Sequence, residues 1–188
     1  MDQLKDKSHY IEVQEYLDGE KLSDIRHEYV DGQVYAMAGG TKNHNKIAGN
    51  VFSDFKSALD GGPCETYMND LRLRVFSLES ESYYYPDVVV SCEPDDGDDQ
   101  HVEKPTLIVE VLSDSTEKRD KTEKFFAYRS LQSLEEYVII SQKTKEVTIA
   151  RKANQWKPET LTGDDFELHL GCLSEPIPSS RIYRNVEF

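Results

Sequence analysis

Two carboxylates in this sequence stand where acidic residues are costly. Asp87 immediately precedes Val88-Val89-Val90, and Glu110 lies inside Leu107-Ile108-Val109-Glu110-Val111-Leu112. Both runs are nearly continuous apolar stretches, the pattern of central strands covered on both faces. A carboxylate carried into such a strand needs a cation, a hydrogen-bond network or a metal ion to offset its lost hydration. Two on neighbouring strands could converge on one Mg²⁺ or Mn²⁺, hard ions that take oxygen ligands and keep several waters. An ion held in this way can activate water and stabilise charge on a phosphate in its transition state. Glu110 could instead form a buried salt bridge to Arg72 or Lys124, since structural ion pairs are common. Lys124 follows Asp120 by four residues. That spacing fits an exposed Asp–Lys pair on a helix as well as an ammonium held over the strand ends, where it orients water or neutralises phosphate charge.

These residues must be positioned by elements that the periodicity predicts. Residues 9–17 read as a short helix ended by Asp18-Gly19. Within residues 27–38, alternating stretches flank Asp31-Gly32, a strong hairpin signal. After Thr41-Lys42-Asn43-His44, the residues Ile47, Val51, Phe55 and Leu59, with Ala48 and Phe52 beside them, give one apolar helix face. Asp60-Gly61-Gly62-Pro63 stops that helix. Three strands are expected next, over residues 65–76, 83–91 and 106–112. Ser113-Asp114-Ser115-Thr116 offers N-caps for a helix reaching to about Arg129. Residues 136–140 form a further strand and 145–151 its hairpin partner, with Trp156 and Phe166-Glu167-Leu168 extending that antiparallel edge. Pro176 and Pro178 argue against regular structure in the tail. The order predicts an α/β fold with a mixed central sheet flanked by helices. A length of 188 residues suits one domain over residues 1–188.

The composition is that of an ordinary soluble chain, with 31% charged and 37% hydrophobic residues. No apolar run approaches the roughly 18 residues of a membrane span. The start, MDQLKDKSHY, lacks the apolar core of a signal peptide, so a cytoplasmic location is expected. Cys64, Cys92 and Cys172 are odd in number, far apart and in no CxxC arrangement, which predicts three reduced thiols. The net charge of −14 opposes tight nonspecific binding to nucleic acid. Part of that excess lies in residues 93–99, expected to be a solvated loop. Serine and cysteine hydrolase chemistry has little support, for lack of a Gly-x-Ser-x-Gly elbow or a recognisable Cys–His arrangement. Neither Gly39-Gly40 nor Gly61-Gly62 has the flanking pattern of a phosphate-cradling loop.

Taken in order, several segments resemble the Uma-two family of restriction endonucleases within the PD-(D/E)XK nuclease superfamily. They are His27-Glu28-Tyr29-Val30-Asp31-Gly32, Asn43-His44, Asp70-Leu71-Arg72-Leu73, Tyr85-Pro86-Asp87-Val88-Val89-Val90, Val109-Glu110-Val111-Leu112-Ser113-Asp114-Ser115-Thr116, Arg119-Asp120-Lys121-Thr122-Glu123-Lys124-Phe125-Phe126-Ala127-Tyr128 and Glu136-Tyr137-Val138-Ile139. The resemblance spans roughly residues 10 to 150. It implies a restriction-endonuclease-like core and a divalent metal, Mg²⁺ or Mn²⁺, held by Asp87, Glu110 and the Val111 carbonyl. The lysine expected two residues after Glu110 is Leu112 here; by resemblance its role passes to Lys124 on the following helix. Glu28 matches the family's acidic residue in the first hairpin. It would join the metal site through water or pair with Arg26 or Arg72. His44 is placed to contact phosphate or water, or is a surface histidine with no further role.

Three functions follow. The first is metal-dependent hydrolysis of DNA phosphodiesters with Asp87, Glu110 and Lys124 at the centre. The second is a catalytically degenerate module of the same fold that binds nucleic acid or protein, which the acidic charge favours. The third is a structural protein unrelated to nucleic acid, which a Glu110–Arg72 bridge with no adjacent cavity would favour. By resemblance a homodimer is possible, through residues 136–151 or the tail from Tyr183 to Phe188.

Overall fold

The computed structural model describes residues 10–37, 39–76, 80–93, 96–113 and 117–188. The expectations for His9, Ala38, Pro94, Asp95 and the caps Asp114, Ser115 and Thr116 lie outside the described residues. Helix α1 (Val13–Leu22) starts later than expected and runs through Asp18-Gly19. An interior glycine costs a helix about 1 kcal/mol. Tyr16 and Glu20, four residues apart and both buried, anchor α1 across it. Strands β1 (His27–Val30) and β2 (Gln33–Ala36) form the expected hairpin. Asp31 and Gly32 take positive φ, 46° and 86°, as a two-residue turn of that hand requires. A Cβ at position 32 would also lie 2.1 Å from the Tyr10 ring. Helix α2 (Lys42–Ala58) is capped by Thr41, whose hydroxyl accepts from the His44 N–H at 3.1 Å. Its buried face carries Ile47, Ala48, Val51 and Phe55.

The middle of the chain departs most from expectation. Residues 65–76 form two strands, β3 (Glu65–Met68) and β4 (Arg72–Phe76), and residues 83–91 contribute to two more, β5 (Glu81–Tyr84) and β6 (Val88–Ser91). Each stretch changes sheet at its break. Asn69, with φ of 49°, marks the first break. Pro86, which has no N–H to give to a ladder, lies in the second. Next come β7 (His101–Val102) and β8 (Leu107–Leu112). Helix α3 (Glu117–Arg119), a π-helical turn (Asp120–Lys124) and α4 (Phe125–Tyr128) then follow one another directly. Strands β9 (Glu136–Ser141), β10 (Glu146–Arg151) and β11 (Pro158–Thr162) complete the two main sheets.

One sheet has the order β2-β1-β5-β4-β7 and the other β11-β10-β9-β8-β6-β3. The second is mixed: β8 runs parallel to β9 and antiparallel to β6. Every residue of β8 is buried, and its pleat divides the core. Leu107, Val109 and Val111 pack with α2, whereas Ile108 and Leu112 pack with Leu73, Tyr84 and Tyr128 on the other side. Glu110 falls on this second face. The α/β class with a mixed sheet and flanking helices is therefore as expected.

Other expectations are corrected by the structure. The edge beside β10 is β11, while Trp156 lies in the turn before it and residues 166–168 do not extend it. Residues 136–151 are thus covered on that side and offer no free edge for a second copy. Strand β12 (Glu167–Leu168) pairs instead with β13 (Ile177–Pro178), and α5 (Ser179–Ile182) follows. The tail is ordered despite its prolines because Pro178 precedes the first turn of α5, where no N–H is needed, and Ile177, Ile182 and Tyr183 are buried in the α2 core. A further correction concerns the thiols. Cys64 and Cys92 form a disulfide, brought together by the β3–β6 register that sets Glu65 opposite Ser91. Cys172 is the free cysteine, and burial pushes its thiol up to about 11. No described helix is long and apolar enough to cross a membrane.

Candidate active site

The second of the bends that switch strands between sheets, through Tyr85 and Asp87, borders a cavity of about 160 Å³. Its lining includes Glu28, His44, Asp87, Glu110, Val111 and Lys124, the six positions singled out from the sequence. Asp87 sits in the break between β5 and β6, where the chain leaves one sheet for the other. Its Oδ2 accepts the Val111 N–H at 2.7 Å and lies 3.3 Å from His44 Nε2. Asp87 is thereby tied to β8, the strand that carries Glu110, and to the first turn of α2. Gly40 leaves room for the imidazole, since a Cβ there would lie 3.1 Å from His44 Nδ1. Burial alone would lower the His44 pKa. The hydrogen bond and charge of Asp87, with a contribution from the Val111 backbone, outweigh it and raise the value.

Glu110 and Lys124 meet from opposite sides of the second core layer. Lys124 Nζ donates to Glu110 Oε1 at 3.0 Å, and the Tyr128 hydroxyl donates to the same oxygen at 2.9 Å. Lys124 Nζ also lies 2.8 Å from Glu28 Oε1 and 3.4 Å from Asp120 Oδ1. The approach to Glu28 Oε1 is a charge contact only, because that buried oxygen receives no aligned hydrogen bond among the described residues. Three carboxylates therefore share one ammonium that is only 4% exposed. Burial raises the Glu110 pKa well above the carboxylate range; Lys124 opposes this, and Asp120, Asp87 and Glu28 add to it. For Lys124, burial pulls the pKa down, but the charges of Glu110, Glu28 and Asp120 more than compensate and it rises. The lysine is thus a fixed cation.

The structure gives the protein partners of these residues. Arg72 is bonded to Gln100 at 2.9 Å, and Glu110 takes Lys124 as its partner. Lys124 is buried, which excludes the exposed Asp–Lys pair. Glu28 pairs with Arg119 at 3.1 Å and with Lys124, while Arg26 pairs with Asp70. His44 is largely enclosed against Asp87, so it is no surface histidine.

Sequence reasoning missed Arg119, Tyr128 and Tyr85 as neighbours of the site, and paired Asp120 with Lys124 only as an exposed helix pair. Asp120, Lys124 and Tyr128 are all buried and fall four residues apart, a polar stripe on a face that should otherwise be apolar. That periodicity was the available signal. The π turn contributes to it by keeping both Asp120 and Lys124 on the buried side, and such turns recur at functional sites. Tyr85 lines the cavity and donates to Glu20 Oε1 at 3.0 Å on the α1 side.

A family model described as "Putative restriction endonuclease", Uma2, matches residues 13–173. Two uncharacterized proteins of Synechocystis sp. are similar over most of their length. The first, slr1290, is 40% identical over 178 residues, covering 93% of this chain and 92% of that protein. The second, sll1609, is 35% identical over 164 residues, covering 85% and 92%. The fold is shared with a crystal structure titled as a putative nuclease belonging to DUF820 from Anabaena variabilis. That match has a TM-score of 0.73 at 16% identity, over 92% of this chain and 97% of the other.

Proposed function

This chain belongs to the Uma2 family, described as putative restriction endonucleases, and from that premise we propose that it is a Mg²⁺- or Mn²⁺-dependent DNA endonuclease. One observation carries the reading: Asp87 and Glu110, from neighbouring segments of one sheet, line the same cavity as a buried lysine. The donor set suits a hard divalent ion. Two carboxylates and the Val111 carbonyl are all oxygen donors, and Mg²⁺ is commonly bound by one or two carboxylates with waters and substrate phosphate completing its shell. Among the described residues no three His, Cys, Asp or Glu side chains form a chelating cluster. A site made of Asp87, Glu110 and a backbone carbonyl would leave positions for water and phosphate. When bound, the ion supplies Lewis-acid stabilisation of phosphate charge and lowers the pKa of water.

The protein's own groups take the remaining roles. The Val111 N–H and His44 fix the orientation of Asp87. Tyr128 and Lys124 fix Glu110. The Lys124 ammonium, held by Glu28 and Asp120, brings permanent positive charge to the cavity wall, where it neutralises an entering phosphodiester and orients the attacking water. His44 reaches the cavity as a hydrogen-bond donor to water or a phosphate oxygen.

The test is cleavage of duplex, single-stranded and branched DNA with Mn²⁺ or Mg²⁺, with and without chelator. The expected result is cutting of at least one form that disappears with chelator and in Lys124→Ala. Binding without cutting of any form would instead favour a catalytically degenerate module, a second reading supported by the net charge of −14.

A further inference from the structure

Arg119 lines the same cavity as the carboxylates, yet nothing so far gives it a role of its own. Its guanidinium lies over the Tyr35 ring, with Cζ 4.6 Å from the ring centroid. Stacking of this kind fixes the plane of the fork without using its N–H groups. Nη1 is 3.1 Å from Glu28 Oε2. Nη2 is 3.3 Å from Glu123, a half-exposed carboxylate four residues on. Nε is buried and has no acceptor among the described residues. A buried N–H without an acceptor loses its hydration for no return, so this fork is held in place with a donor unspent. Exposed helix pairs such as that with Glu123 are worth little and exchange readily.

We infer that Arg119 is a phosphate-binding residue of the site, donating to a nonbridging oxygen of a nucleic-acid phosphodiester that enters the cavity. The inference rests on the nuclease reading for the identity of the ligand. The chemistry favours arginine over lysine here: a planar fork can give two parallel N–H bonds to one phosphate, and its charge persists at any working pH. Arg119 and Lys124 would divide the work. Lys124 is surrounded by three carboxylates and serves as a fixed charge, whereas Arg119 keeps a donor and a weakly held partner, Glu123, that a phosphate oxygen can displace.

Three proteins decide it: wild type, Arg119→Ala and Arg119→Lys. Each is measured for thermal stability, for Mn²⁺ affinity by calorimetry, for binding of a fluorescein-labelled oligonucleotide without divalent ion across a salt series, and for cleavage with Mn²⁺. In Arg119→Ala, oligonucleotide affinity is expected to fall about tenfold, and the slope of log affinity against log salt by about one. The cleavage rate should fall about 100-fold, with Mn²⁺ affinity unchanged or tighter because one cation beside the carboxylates is gone. Arg119→Lys should recover part of the binding and little of the rate. Wild-type oligonucleotide affinity in Arg119→Ala would overturn the inference. So would a loss of Mn²⁺ affinity in step with the rate, which would make Arg119 a support for Glu28 alone. If Arg119→Ala fails to fold, the lysine variant decides: full wild-type rate in it overturns an arginine-specific role. A wild type that binds the oligonucleotide but never cuts sinks the catalytic reading and leaves the binding arm of this inference standing. A wild type that does neither sinks both.

Discussion

Two groups of charged side chains, one inside and one outside, use the same residue types to different ends. On the β2-β1-β5-β4-β7 sheet, away from the cavity, Arg74 bridges Glu81 at 2.7 Å and Glu103 at 2.8 Å, and His101 bridges Asp98 at 2.8 Å and Glu103 at 3.0 Å. These groups are partly exposed, so solvent can screen the charge that Arg74 and His101 leave unmatched on the three carboxylates. Around the cavity, Glu28 and Glu110 are 5% exposed, and Asp120 is 1% exposed beside one shared ammonium. The Glu103 carboxyl is held below its ordinary range, with His101 and Arg74 responsible, whereas burial drives the Glu110 carboxyl far above it. The comparison shows that a count of acidic residues says little about chemistry. Enclosure leaves the inner carboxylates with little solvent to screen them, and a divalent ion would supply the further positive charge they lack.

The sharpest way to break the comparison is to remove the shared cation. Lys124→Ala should lower any metal-dependent cleavage by about 100- to 1,000-fold. Leaving three buried carboxylates without it should destabilise the fold by about 3–5 kcal/mol, read by urea denaturation. A variant as stable and active as wild type would show that the inner group is no different from the outer. Tyr128→Phe should have a smaller effect. It removes one of the two donors to Glu110 Oε1 and should cost about 1–3 kcal/mol, with weaker metal binding where Glu110 is no longer fixed.

The outer group should give the smallest effect. Glu103→Gln should change stability by less than about 1 kcal/mol, because the pair is screened by solvent, and should leave cleavage unchanged. The sign with pH is definite. The folded pKa of Glu103 is lowered from its ordinary 4.5, so its contribution is full above that value and is lost as the pH falls from 4.5 through the lowered value. Wild type should lose this increment on acidification, and Glu103→Gln should show no such loss at that site.

The sequence pointed to residues that line the cavity more readily than to the path of the chain through it. Asp87 and Glu110 stand out because each interrupts an apolar run, and Lys124 follows from the resemblance of the segment around it. The hairpin at Asp31-Gly32 and the face of α2 were legible because turn chemistry and helical period are local. The breaks at Asn69 and Pro86 were not, because alternation continues on both sides of them and only tertiary pairing shows that the halves belong to different sheets. The Cys64–Cys92 disulfide depends on the register of β3 against β6, a non-local fact. Arg119 lies in a segment that carries the resemblance but drew no role, since a charged residue near the start of a helix is ordinary until Tyr35 and Glu28 are seen to hold it.

The central claim is that Asp87 and Glu110 together hold a divalent ion. Calorimetric titration of Mn²⁺ into wild type, Asp87→Ala and Glu110→Ala at low ionic strength tests it most directly, with circular dichroism checking that each variant is folded. The account predicts one ion bound by wild type and none by either folded variant. A wild type that takes no ion, or folded variants that bind it as wild type does, would contradict the assignment.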